Sequence, residues 1–297
     1  MLGLIATLSL VVVGAQSQAD SFSDNFARNK MLPLAAAAYS DKPGECVGRL
    51  GGNVVKFYRA DCSGFGFVKV FCSAYTALLK KEKAIVLSFR GTDNNWQLIK
   101  ELVRPFLTKE WFGGASVNQY FLLAFNNLFK SSMYQDVKKL IHDKKYKNFD
   151  IWITGHSLGG ALASLTASYL LETGDAERSR TKLMTFGQPR TGDRIFAERL
   201  NDKIDYAFRV IHDNDLVTQI PPNLPKLRYH HHKKEVYYGR SMENGIFKVC
   251  KTDETCTRQF EPAPELLDQT VHRNLVLLDE KLRLAKELPS TRLRCSK

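Results

Sequence analysis

The chain has 297 residues, 44% of them hydrophobic and 25% charged, so it has ample material for a packed core and lacks the low-hydrophobicity signature of disorder. Its 19 glycines and 10 prolines show no periodic spacing, which excludes a collagen-like or low-complexity chain. Lys and Arg outnumber Asp and Glu by 43 to 31, a formal charge of +12 that raises the question of an anionic partner.

The chain opens with an apolar run from Leu2 to Val13 and has no charged side chain before Asp20. The run is too short to span a bilayer and matches a secretory h-region, followed by small residues suited to cleavage after Ala15, Ser17 or Ala19. The expected organisation is a signal peptide over residues 1–17 and a single domain over 18–297 of a secreted, extracellular protein. No later stretch is apolar enough to cross a membrane. Six cysteines in an exported chain predict disulfides, and their spacings do not resemble zinc patterns. Cys250 and Cys256 flank the polar loop KTDET, and Cys62 and Cys72 can close the loop around GFGFVKVF. Elimination leaves Cys46 with Cys295.

From Lys83 onward short β-rich runs alternate with helical ones. AIVLSF (Ala84 to Phe89) is a continuous apolar run bounded by Arg90-Gly91, as expected of a strand buried on both faces. Phe125, Leu128, Phe129, Met133, Val137, Leu140 and Ile141 then fall on one face of a helix. FDIWIT (Phe149 to Thr154) reads as the next strand. Beyond the glycine-rich GHSLGG, Leu158, Leu162, Leu165 and Tyr169 recur at helical spacing. Further strands are expected at Lys182 to Phe186 and Ala207 to Ile211. This alternation implies an α/β fold, a mostly parallel sheet with helices on both faces.

Gly155-His156-Ser157-Leu158-Gly159 is a G-x-S-x-G motif between a predicted strand and a predicted helix. A nucleophilic serine there must occupy a sharp, strained turn that side chains at the flanking positions would obstruct. The following helix offers its N-terminal N–H groups to a developing oxyanion. His156 is the variable position of the motif and reads as a packing residue. Serine needs a base and an orienting acid, in the chain order Ser, then Asp or Glu, then His. Asp213 and Asp215 follow a predicted strand and precede Pro221-Pro222. Order eliminates His142, His156 and His212 as base and leaves His230, His231, His232 and His272.

FRGT (Phe89 to Thr92), VNQYF (Val117 to Phe121), TGHSLGGALA, GQPRTGD (Gly187 to Asp193), DNDLVTQIPP and VHRNL resemble the successive blocks of the fungal-type, class 3 lipase family. The resemblance runs from about Ala35 to the end of the chain. It implies an α/β-hydrolase fold and hydrolysis of carboxylic esters of lipids by a Ser-Asp-His triad. Carried over, the nucleophile is Ser157, the acid Asp215 and the base His272. The oxyanion hole falls to the backbone N–H of Leu158 and a donor from Thr92. Asn118 departs from the pattern, since many members carry histidine there, and the departure bears on local structure more than on catalysis. His230 to His232 are then surface or structural histidines. Trp96, Ile99, Val103 and Phe106 recur at helical spacing beside the oxyanion loop and resemble the family's lid, whose apolar face would meet a lipid surface.

The expected activity is therefore that of a triacylglycerol lipase, with phospholipase A1 or soluble carboxylesterase as the alternatives and a catalytically silent lipid binder as a further one. Such chemistry needs no metal and no organic cofactor. The partner is a lipid ester at a membrane or emulsion surface, reached by peripheral contact. A nucleic-acid binder is disfavoured for want of any reading motif. The basic runs, including Lys138-Lys139 and Lys144-Lys145-Tyr146-Lys147, read as solvated faces that could draw the protein to anionic lipid or polysaccharide.

Overall fold

The computed structural model describes residues 21–63, 69–91, 107–213, 215–223, 228–232, 234–239 and 246–250. The expected signal peptide, Thr92, the segment holding Trp96, Ile99, Val103 and Phe106, and Cys256, His272 and Cys295 lie outside the described residues.

Twelve strands are described: β1 (Asn53–Asp61), β2 (Phe71–Leu79), β3 (Ala84–Phe89), β4 (Thr108–Glu110), β5 (Ser116–Asn118), β6 (Asp150–His156), β7 (Thr181–Phe186), β8 (Gly192–Asp193), β9 (Tyr206–His212), β10 (Tyr229–His230), β11 (Glu235–Tyr238) and β12 (Phe247–Cys250). Eight of them form one sheet in the order β1-β2-β3-β6-β7-β9-β11-β12. Its centre, β3 through β11, is parallel, and antiparallel β1, β2 and β12 complete the two edges. A small antiparallel sheet, β10-β8-β5-β4, stands apart.

The central strands are continuous apolar runs because both faces are covered. Successive side chains of a strand point to opposite faces, and the two cores divide accordingly. Ile85, Leu87, Ile151 and Ile153 pack with Phe121, Phe125, Val137, Leu162 and Leu165 from the helices Gln119–Phe125, Tyr134–His142 and Leu158–Glu172. Val86 and Trp152 pack on the other side with Leu34, Ala35 and Val47 from the helices Leu32–Ala37 and Pro43–Arg49. Among the described residues no helix is long and apolar enough to cross a membrane.

Two features depart from the sequence expectation. The helix expected over 125–141 begins earlier and is interrupted, running as Gln119–Phe125, a π-helical stretch Asn126–Met133 and Tyr134–His142. It begins at Gln119 because the Asn118 side chain caps it, accepting from the N–H groups of Tyr120 (2.9 Å) and Phe121 (3.3 Å). The antiparallel pair β1 and β2 precedes the point at which the alternation becomes visible. The Cys62–Cys72 disulfide closes this hairpin. Cys46 and Cys250 are also disulfide-bonded.

Because β3, β6, β7 and β9 are parallel, their C-terminal ends share one rim of the sheet, the usual location of sites in such folds. Gly91, Ser157, Gly187 and Asp215 all follow strand ends on that rim.

Candidate active site

Ser157 sits between the end of β6 and the first turn of the helix Leu158–Glu172 with φ 56° and ψ −127°. A non-glycine residue in such a conformation costs on the order of 1–3 kcal/mol and persists only where its surroundings enforce it. Here Ser157 N–H donates to the Phe186 carbonyl at 2.9 Å, and its own carbonyl accepts from Gly160 N–H at 2.9 Å. The flanking glycines are required by space: a Cβ on Gly155 would overlap the Gly159 carbonyl, and one on Gly159 would overlap the Phe89 carbonyl oxygen. The serine is 1% exposed, and its Oγ has no hydrogen-bond partner among the described residues. Leu158 opens the helix, where the first N–H groups lack intrahelical acceptors.

The loop leaving β3 closes on this turn. A Cβ on Gly91 would lie 2.7 Å from the His156 carbonyl oxygen and 3.2 Å from the Ser157 Cβ, so the residue just before Thr92 packs directly against the serine turn. Tyr39 bridges the two. Its hydroxyl is hydrogen-bonded to the Gly91 N–H and lies 2.7 Å from His156 Nδ1. The hydroxyl thus ties the β3 exit to the His156 ring. Burial keeps that imidazole neutral, lowering the His156 pKa to about 4. His156 is thus more than the packing residue expected of it, and nothing in the surrounding AAAAYS pointed to Tyr39.

Asp215 follows β9 and caps the short 3-10 turn Leu216–Gln219, accepting from Val217 N–H at 3.0 Å. Its carboxyl is aimed at the serine rim: Oδ2 lies 2.7 Å from where a Cβ on Gly187 would stand, with His156 Nε2 3.5 Å from the same point. Gly187 has φ 54°, so backbone conformation and space both demand glycine. Burial raises the Asp215 carboxyl to about 6.

The Asp215 loop is held by groups from neighbouring elements. Buried Arg190 donates to the carbonyls of Gln219 and of Pro221, the latter at 3.0 Å. His231 Nε2 donates to the Thr218 carbonyl at 2.7 Å. Buried Gln188 accepts from Ser164 (3.0 Å) and Thr185 (2.7 Å) and donates to Thr191 (3.0 Å). His232 accepts, through its backbone carbonyl, a bond from Arg209 Nε at 2.8 Å. His231 and His232 therefore serve the scaffold, as expected of structural histidines, while His230 lies 2.8 Å from the Arg228 carbonyl. Arg190 and Gln188 belong to the GQPRTGD block, whose presence was legible although the work of each side chain was not. Asn118 also has a structural task, donating to the Tyr229 hydroxyl at 3.0 Å besides capping its helix.

The structure thus brings Ser157, Leu158, Gly91 and Asp215 to one rim, whereas His272 and Thr92 lie outside the described residues. A buried serine on a strained turn, next to helix N–H groups and a sheltered carboxyl, is suited to nucleophilic attack on a carbonyl carbon.

Residues 86–224 match the family model described as lipase (class 3). The chain is 30% identical over 249 residues to the lipase ZK262.3 of Caenorhabditis elegans, a match covering 74% of this chain and 68% of that protein. It is 32% identical over 156 residues to the secreted mono- and diacylglycerol lipase 1 of Fusarium solani, covering 52% of this chain and less than half, 44%, of that relative's length. The Rhizomucor miehei triacylglyceride lipase superposes with a TM-score of 0.67 at 25% identity, covering 84% of this chain and 94% of that one.

Proposed function

The chain belongs to the class 3 lipase family and has an α/β-hydrolase fold, and from that membership we propose that it is a secreted serine ester hydrolase cleaving fatty-acyl esters of acylglycerols at a lipid interface. The observation that carries the reading is the Ser157 turn, a strained and buried serine at the junction of β6 and a helix N-terminus. Strain of this kind is retained where holding the nucleophile at the strand-to-helix junction repays it.

In this mechanism Ser157 Oγ attacks the ester carbonyl while His272 takes its proton. Asp215 holds the imidazole in the productive tautomer and balances the imidazolium charge. The N–H of Leu158 and a donor from Thr92 receive the oxyanion. The imidazolium then protonates the departing alcohol, leaving an acyl-enzyme, and water activated by His272 releases the fatty acid. The approach of Gly91 to Ser157 supports the Thr92 assignment, because the residue after Gly91 starts beside the serine turn. Trp96, Ile99, Val103 and Phe106 would form the apolar face of the lid. Secretion accords with the Fusarium relative, a secreted lipase.

Ser157→Ala is expected to fold normally, to lose about 10⁶-fold in kcat and to resist an organophosphonate that labels the wild type. Retained ester hydrolysis by the purified variant would overturn the assignment. Emulsified triacylglycerol should be hydrolysed in preference to phospholipid vesicles and short soluble esters. A preference for vesicles would make the protein a phospholipase A1, and one for soluble esters a carboxylesterase.

A further inference from the structure

Six lysines stand at the opposite end of the sheet from Ser157. Lys80, Lys81 and Lys83 occupy the β2–β3 turn, and Lys144, Lys145 and Lys147 the loop that leads into β6. All six are exposed. The two loops are neighbours because β3 and β6 pair in parallel, and the Asp150 N–H donates to the Lys83 carbonyl at 2.8 Å. Seven residues of β6 separate them from Ser157, a span of about 20 Å.

The acidic groups nearby are already engaged. Glu82 pairs with Lys30, Asp150 with Lys182 at 2.7 Å, and the Asp143 carboxylate accepts from the Lys145 N–H at 2.8 Å. Of the six lysines only Lys81 acts measurably on a neighbouring carboxylate among the described residues, helping Lys30 to hold the Glu82 carboxyl below its ordinary value. The 144–147 loop is also rigidly held, with Arg180 donating to the carbonyls of Phe149 (2.9 Å) and Tyr146 (3.1 Å). A fixed platform of positive charge binds a polyanion without the cost of ordering the loop.

We propose that this rim binds a linear sulfated polysaccharide, leaving the Ser157 rim facing away from the polymer. Two observations favour a polymer over an anionic bilayer. Among the described residues, none of the exposed large hydrophobic side chains, Val55, Phe71, Leu107, Ile195, Ile246 and Phe247, lies on either loop, and the loop aromatics Tyr146 and Phe149 pack against the core, so the patch offers mainly charge. Docking on a bilayer through this end would also hold Ser157 on the far side from the lipid. The contact is one of strongly hydrated ammonium groups with sulfates along an extended chain, a salt-sensitive interaction.

The test compares two variants of the full chain with equal charge loss. One carries Lys80→Ala, Lys81→Ala, Lys144→Ala and Lys145→Ala; the other carries Lys69→Ala, Lys109→Ala, Lys130→Ala and Lys248→Ala. With heparin as the probe, affinity at fixed salt should fall about tenfold or more in the first and less than about twofold in the second. The first should also show a shallower dependence on salt concentration. Equal losses in both variants would reduce the effect to net charge and overturn the proposal, as would an absence of heparin binding. Patch-dependent binding to phosphatidylglycerol vesicles with no heparin preference would overturn it in favour of a membrane. The choice of a polymer over a bilayer rests in part on the ester-hydrolase reading, but the two fail separately: absence of ester turnover in every form would defeat that reading, while heparin affinity tests the patch.

Discussion

The β3–β6 pair has a non-glycine residue at positive φ at each end, Ser157 at 56° just after β6 on one rim and Lys83 at 51° just before β3 on the other. Ser157 is buried, with glycines and backbone carbonyls packed against it, whereas Lys83 is an exposed turn residue. The contrast extends to the charges. On the serine rim an ionisable carboxyl and an imidazole are largely enclosed, and burial raises the Asp215 carboxyl to about 6 and lowers His156 to about 4. On the other rim the lysine side chains stand in solvent. A positive φ is thus an ordinary turn at the exposed Lys83, whereas at Ser157 it is enclosed by tertiary packing.

Breaking the buried side should have much the larger effects. Asp215→Asn is expected to lower kcat by about 10⁴-fold, as when a triad acid loses its charge but keeps its shape. The variant also tests the raised pKa. With the carboxyl at about 6, wild-type kcat/KM on a soluble ester should fall as pH drops through that value, because the protonated acid cannot balance an imidazolium. An independent readout is stability. Between the ordinary carboxylate range and about pH 6 the folded state binds more protons than the unfolded one, so wild-type stability should decline as pH rises through that window. The Asn variant should lose this slope, and a slope retained in urea titrations would refute burial as the cause.

A smaller effect is expected at Tyr39. Removing its hydroxyl leaves the His156 Nδ1 and the Gly91 N–H without their shared partner, at a cost of about 1–3 kcal/mol. Tyr39→Phe should lower kcat several-fold, with KM nearly unchanged, if the bridge positions the β3 exit loop against the serine turn. A loss of stability with unchanged kcat would confine Tyr39 to packing. The smallest effect lies on the opposite rim, where Lys144→Ala should change stability by no more than about 0.5 kcal/mol. A larger change in a denaturant titration would mean that the lysine loops are part of the scaffold.

Much of the central layer was legible in the chain because it follows from short-range rules. AIVLSF became β3 with the expected bounds, since a strand covered on both faces must be apolar at every position. The G-x-S-x-G turn was legible for a steric reason, each glycine standing where a Cβ would meet backbone. The β1–β2 pair was less visible, because β2 is buried along nearly its whole length while β1 is largely exposed, so neither shows clean alternation. Arg190 and His231 could not be assigned their tasks from spacing. Each acts on a carbonyl of the Asp215 loop, and which carbonyls come within reach depends on how β7, β9 and the small sheet are arranged.

The sequence by itself determined the α/β alternation, the sharp turn at G-x-S-x-G and an aspartate following a late strand, since each of these follows from local pattern and local sterics. Only the tertiary structure decided that Tyr39, more than a hundred residues from Ser157 in the chain, bridges the serine turn and the β3 exit, and that Asp215 is sheltered enough to titrate near 6. It also decided where part of the +12 lies. The basic runs are separate in sequence, but parallel pairing of β3 and β6 collects two of them on the rim remote from Ser157. Burial, pKa and charge density depend on distances between segments, and strand order sets those distances.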